Sequence, residues 1–166
     1  RVYRLKAHEI PMSSRTARGT AVVNLLQLQA GESIQAIIDT RDYETNRFLF
    51  FATKQGQVKK TKFNDYDSSL RTGIIAINLE EGNELIGVRL TSGSDEIVLV
   101  THEGMSLRFH EDDTRPLGRG TAGVMGIRPD ESDFVIGLAL VTQGSTLLVA
   151  SENGIGKRTT FEDYRK

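Results

Sequence analysis

Short runs of β-branched and aromatic residues, each closed by a glycine turn, recur along this chain, and their spacing limits the fold more than any other feature. Phe48 to Ala52, Glu96 to Val100 and Thr146 to Ala150 lead into Gln55-Gly56, Glu103-Gly104 and Asn153-Gly154. Polar-Gly pairs between strand-forming runs are hairpin signals, because glycine accepts the positive φ of a tight turn. The glycines stand 48 and 50 residues apart. A period of that size predicts stacked or radial β units.

The segment after each glycine also repeats. Val58-Lys59-Lys60-Thr61 matches Gly156-Lys157-Arg158-Thr159, and Phe63-Asn64-Asp65-Tyr66 matches Phe161-Glu162-Asp163-Tyr164. Val2-Tyr3-Arg4 falls into the same register if Arg1 follows a glycine. A second block, Arg18-Gly19-Thr20-Ala21, returns as Arg119-Gly120-Thr121-Ala122, with Arg71-Thr72-Gly73 as the middle copy. Each copy leads into an apolar run: Val22 to Leu26, Ile74 to Leu79 and Val124 to Ile127. After an acidic turn, a fourth strand is expected at Ile34 to Ile38, Leu85 to Leu90 and Val135 to Leu140. One unit thus holds about four strands in roughly 50 residues, the size of a propeller blade. The prediction is a single all-β domain over 1–166, propeller-like, with hairpins near 48–62, 96–110 and 146–160. It has about three four-stranded blades and the start of a fourth. No amphipathic helix is expected, and the insertion at Thr40 to Phe48 reads as a loop.

With 38% hydrophobic and 26% charged residues, the chain reads as soluble and globular. It has no cysteine, which excludes disulfides and thiolate metal sites and fits a reducing cytoplasm. No apolar run approaches the length of a transmembrane helix. Basic and acidic side chains number 21 and 22, a net charge of −1. A polyanionic partner therefore requires the cations to be segregated onto one surface.

The fourth position after each hairpin glycine is such a place. It holds Arg4, Lys60, Arg108 and Arg158, all basic, preceded by the mixed set Tyr3, Lys59, Leu107 and Lys157. Neighbouring strand residues point to opposite faces, so this column predicts one cation per blade on a shared face. The glycine-arginine loops add Arg15, Arg18, Arg71, Arg115 and Arg119. Arginine offers a fork of donors suited to phosphate, and glycine lets the backbone approach closely. Cations repeated along a curved edge bind a duplex without reading its bases. The column equally fits a solvated outer strand, where Lys and Arg blunt edge pairing. The residues themselves leave both readings open.

Other motifs carry less. Gly118-x-Gly120-x-x-Gly123 has the spacing of a dinucleotide fingerprint but lacks the strand before it and the helix after it. Ser151 stands where a phosphate loop before Lys157 needs glycine. His8, His102 and His110 have no metal-ligand spacing. Glu111-Asp112-Asp113 reads as an acidic turn rather than a cation site. Tyr3, Tyr43, Tyr66 and Tyr164 have no nucleophile context, and the repeat equivalence of Tyr66 and Tyr164 favours packing.

In combination, several strings resemble the C-terminal domain of the DNA gyrase A subunit. They are Arg1-Val-Tyr-Arg-Leu-Lys, Ser14-Arg-Thr-Ala-Arg-Gly-Thr, Glu84-Leu-Ile-Gly-Val-Arg-Leu-Thr-Ser-Gly, Arg115-Pro-Leu-Gly-Arg, Gly123-Val-Met-Gly-Ile and Asn153-Gly-Ile-Gly-Lys-Arg-Thr. The resemblance implies a β-pinwheel, a usually six-bladed disc whose blades exchange strands, here as a partial arc. It implies sequence-independent wrapping of double-stranded DNA around a basic rim in support of negative supercoiling. It further implies bacterial, nucleoid-associated localisation and partnership with the rest of the gyrase A polypeptide and with gyrase B. No cofactor or catalytic group is expected in the domain, since ATP hydrolysis and strand passage belong elsewhere in the enzyme. The family's first blade carries a basic, glycine-rich seven-residue box. No such heptad is present here, and Arg18-Gly19 and Gly118-Arg119-Gly120 are the weaker related loops. The chain is thus expected to be part of a larger domain. Two alternatives stand beside this reading: the corresponding C-terminal domain of topoisomerase IV, and a propeller-like scaffold for protein partners.

Overall fold

The structure, a computed structural model, describes residues 1–40, 47–67 and 70–164. Tyr43 and most of the 40–48 insertion lie outside these residues. Nine strands form among the described residues: β1 (Phe48–Thr53), β2 (Gln57–Lys62), β3 (Leu85–Thr91), β4 (Glu96–Thr101), β5 (Ser106–His110), β6 (Val124–Met125), β7 (Val135–Leu140), β8 (Thr146–Ala150) and β9 (Gly156–Thr160). They assemble into antiparallel sheets ordered β3-β1-β2-β6, β5-β4-β7 and β8-β9. No α-helix occurs among the described residues. The expected all-β, blade-by-blade architecture is therefore present, with sheets of four, three and two strands.

The three predicted hairpins form where the repeat placed them. Gly56, Gly104 and Gly154 have φ of 84°, 90° and 77°, and each donates its N–H to the carbonyl three residues earlier. Gly56 has a second constraint. A Cβ there would stand 2.0 Å from the Ile127 carbonyl oxygen, because the amides of Gly126 and Ile127 both donate to the Gly56 carbonyl. The acidic turns serve the same hairpins. Asn83 Oδ1 accepts from the Gln55 N–H, and Asp133 Oδ1 accepts from the Glu103 N–H. Burial works against the charge on Asp133. Hydrogen bonds from Thr101 and from the amides of Glu103 and Phe134 outweigh it and hold the carboxyl below its ordinary range.

Sheet β3-β1-β2-β6 is made by two repeats. Its outermost strand, β6, comes from the unit after the hairpin it joins and pairs Val124 with Val58. The same exchange occurs one unit earlier, where Val2 bridges Ile74. This pairing aligns Gly73 with Gly123, so Arg71 sits two residues later in its loop than Arg119 does.

Alternation along β1 then explains its unbroken apolar run. Phe50 and Ala52 pack with Val58, Ile97, Leu99, Val135 and Leu138 on one face. Leu49 and Phe51 pack with Tyr66, Ile74, Ala76 and Val88 on the other. A strand covered on both faces loses the polar half of its pattern, and full burial of a side chain such as Phe50 contributes about 2–3 kcal/mol.

Two expected strands do not form. Val22–Asn24 is a 3₁₀ turn, and Ile34 to Ile38 has no strand pairing. Their counterparts β6 and β3 are held by β2 and β1. Among the described residues there is no equivalent hairpin edge for this first unit, and backbone groups without a ladder partner turn to water or local bonds.

Candidate nucleic-acid interface

The cations predicted to share one face are sorted by how many neighbours cover their sheet. In β2, Lys59 and Lys60 point to opposite faces, and both faces are occupied. Lys60 is 3% exposed. Its ammonium donates to the Glu111 carbonyl oxygen at 2.8 Å and lies 4.0 Å from the Glu111 carboxylate and 3.5 Å from Asp112. Glu111 is wholly buried, and accepts from the amides of Gly93 and Asp95 and from the Thr91 hydroxyl. On the opposite face Lys59 is fully buried. Its ammonium donates to the carbonyls of Ala76 at 2.6 Å, Thr121 at 3.2 Å and Arg119. Burial pushes its pKa down to about 8, and no carboxylate is among its hydrogen-bond partners.

Lys59 and Lys60 are therefore corrected. The sequence pattern offers them to DNA, but an ammonium enclosed by protein carbonyls has no path to a phosphate in this fold. Arg108 is intermediate, with its side chain 13% exposed. It pairs with Glu96 and donates to the Phe161 carbonyl at 2.6 Å. Glu111 and Phe161 occupy the same repeat position, so Lys60 and Arg108 play one role: each ties its hairpin to the 3₁₀ turn of the next. Arg4 is exposed and pairs with Asp67. Lys157 and Arg158, in the two-stranded sheet, are exposed.

The glycine-arginine loops behave differently. Arg15, Arg18, Arg71, Arg115 and Arg119 are all exposed. The 115–121 loop runs along the outer edge of β2. Lys60 bridges Pro116, and the Leu117 N–H donates to the Lys60 carbonyl at 2.7 Å. β3, at one edge of the four-stranded sheet, packs against β7, and the loop carrying Arg115 and Arg119 lies along the opposite edge. The Gly120 carbonyl accepts from Asn78 Nδ2 at 2.8 Å, and the Thr121 carbonyl accepts from the Asn78 N–H at 3.2 Å. One loop earlier, the Tyr3 ring fills the space beside Gly73. Sequence reasoning missed Asn78, Tyr3 and Glu111. A Phe-to-Glu break in the Phe63, Glu111, Phe161 series was the available signal for Glu111, and nothing in the sequence pointed to Asn78.

Exposed acids Glu80, Glu81, Asp130 and Glu131 lie in the turns that cap the hairpin ends. Arginines line the exchanged outer edge.

The family described as DNA gyrase C-terminal domain, beta-propeller, matches residues 1–41, 47–92, 95–142 and 145–166. The chain belongs to this gyrase C-terminal domain family. The four matched segments follow the repeat that the glycines mark. Across 99% of its length the chain is 47% identical to the DNA gyrase A subunit of Mycolicibacterium smegmatis, and it is 44% identical to that of Salmonella typhimurium. It spans 20% of the former's length. Among solved structures, a C-terminal domain of DNA topoisomerase IV superposes with a TM-score of 0.85 at 30% identity, covering 96% of this chain and 50% of that one. A DNA gyrase A C-terminal domain superposes with a TM-score of 0.78 at 24% identity, covering 89% and 49%. In this gyrase-family domain the exchanged strand and the arginine loop are one continuous segment, 115–125, laid across the preceding hairpin.

Proposed function

We propose that this domain binds duplex DNA without reading its sequence, through phosphate contacts from arginine loops along the outer edges of its sheets. The observation that carries this reading is the 115–121 loop: its arginines are exposed while its backbone is tied down at Leu117, Arg119, Gly120 and Thr121. Arg71, Arg15 and Arg18 extend the surface to neighbouring repeats, and Lys157 and Arg158 extend it along the chain. Donors held at successive blades favour a bent duplex, because added contacts offset the few kcal/mol that bending costs. Within gyrase, working with the rest of the gyrase A polypeptide and with gyrase B, such bending supports negative supercoiling in the bacterial cytoplasm. The domain serves as a non-catalytic, cofactor-free module, and the ATP-dependent chemistry lies elsewhere.

The test is a salt titration of duplex binding by the wild type and by Arg115→Ala/Arg119→Ala. Two lost phosphate contacts lower the slope of log K against log salt by about 2. Salt-independent binding would sink the phosphate mechanism. The likeness to the topoisomerase IV domain favours a second reading, the same module in a topoisomerase IV enzyme. Supercoiling assays on the parent enzyme separate the two, since only gyrase drives relaxed DNA to negative supercoils.

A further inference from the structure

Lys59 is a buried cation that the DNA-contacting surface does not use. Its ammonium sits where three carbonyl oxygens converge, two of them from the arginine loop of the next repeat. Asn78 grips the same loop at Gly120 and Thr121. Gly123, at φ 110°, lets the loop lie close, since a Cβ there would stand 2.5 Å from the Val58 carbonyl oxygen and 3.3 Å from the Lys59 Cβ. We infer that Lys59 and Asn78 form a clamp that fixes the backbone of the 118–121 loop and so positions Arg115 and Arg119 for phosphate. Lys59 is thus a positioning residue and does not itself meet DNA. This inference rests on the DNA-binding reading for its purpose, though not for its geometry.

The chemistry suits the task. Carbonyl oxygens are the only strong acceptors a loop backbone offers, and an ammonium donates three hydrogen bonds in diverging directions. Hydrogen bonds from a charged donor are roughly twice as strong as neutral ones. The titratable groups nearby do not compete. Burial pushes the Tyr66 phenol up to about 12, so it stays neutral and shares the Ala76 carbonyl as a donor. The Arg119 guanidinium is exposed. An arginine loop ordered before DNA arrives loses less conformational freedom on binding.

Two measurements on the whole chain test the clamp. The first needs no DNA. The Arg119 carbonyl, one of the Lys59 acceptors, belongs to the bond that trypsin cuts at Arg119-Gly120. Lys59→Met is expected to speed that cleavage by about tenfold while Arg108-Phe109, in the packed β5-β4-β7 sheet, is cut as before. Equal acceleration at both sites means general destabilisation, and unchanged cleavage means no clamp; either overturns the inference. Should Lys59→Met not fold, Asn78→Ala, which leaves the buried lysine in place, is expected to show the same selective acceleration, and its failure to do so overturns the clamp equally. The second is a double-mutant cycle on duplex affinity. Lys59→Met is expected to weaken binding and lower the salt slope in the wild-type background, and to have no effect in Arg115→Ala/Arg119→Ala. An equal loss in both backgrounds shows that Lys59 does not act through these arginines. If the wild type binds no DNA at low salt, the DNA reading fails, and the cleavage result still decides the clamp.

Discussion

Val58-Lys59-Lys60-Thr61 and Gly156-Lys157-Arg158-Thr159 occupy the same register of two hairpins, yet the first pair of cations is buried and the second exposed. The strands have the same role, turn and pairing. The difference lies in what covers them. Sheet β3-β1-β2-β6 has the 74–78 segment and the arginine loop against the Lys59 face, and the 3₁₀ turn of Glu111–Asp113 against the Lys60 face. Among the described residues, no counterpart of either lies against the β8-β9 hairpin. Arg108 stands between the two cases, covered by one 3₁₀ turn. A column of like residues in a repeat is therefore read by its neighbours. Where the next blade docks, the cation becomes an inter-blade tie, as at Lys60 and Arg108.

The largest expected contrast tests that rule directly. Lys60→Ala strands the buried Glu111 carboxylate without its cation, and breaking a buried pair costs about 3–5 kcal/mol. Urea denaturation of this variant against Arg158→Ala should show the full difference. Equal stabilities would mean that Lys60 is no tie. Next come the turn glycines. Gly56→Ala combines a positive φ with a clash at 2.0 Å against Ile127, for a loss of about 3 kcal/mol. Gly154→Ala has nothing within 4 Å and bears only the backbone strain, about 1–2 kcal/mol. A matched loss at both sites would place the cost in φ alone.

A pH series separates the two lysines of the repeat column more finely. The folded-state pKa of Lys59, about 8, lies below its unfolded value. Between pH 8 and the ordinary lysine range the unfolded chain binds more protons, so unfolding free energy rises with pH in that window. Lys59→Met should remove this rise, whereas Lys157→Met should leave it intact; thermal melts at matched ionic strength report both. The smallest effect is that of Arg158→Ala on stability, within about 0.5 kcal/mol of wild type. A larger loss would mean that its hairpin is covered after all.

The hairpins, their glycines and the repeat were legible in the sequence because they depend on residues close in the chain. Positive φ at Gly56, Gly104 and Gly154 follows from turn chemistry, and the β1 run declares burial on both faces. The arginine loops were legible too, since Arg beside Gly marks an exposed turn. Val22 to Leu26 and Ile34 to Ile38 make no strand pairing among the described residues, because their counterparts β6 and β3 are ordered by the β1-β2 hairpin.

Local pattern was thus enough for an all-β chain of blade-sized units with basic loops. Exposure was different. Whether Lys59 anchors a loop or meets solvent depends on carbonyls 17, 60 and 62 residues away. The exchange that sets Val124 against Val58 brings those carbonyls into place. Strand patterning is written at a spacing of two residues, whereas desolvation is a property of the space around a side chain, and here that space is filled by a different repeat.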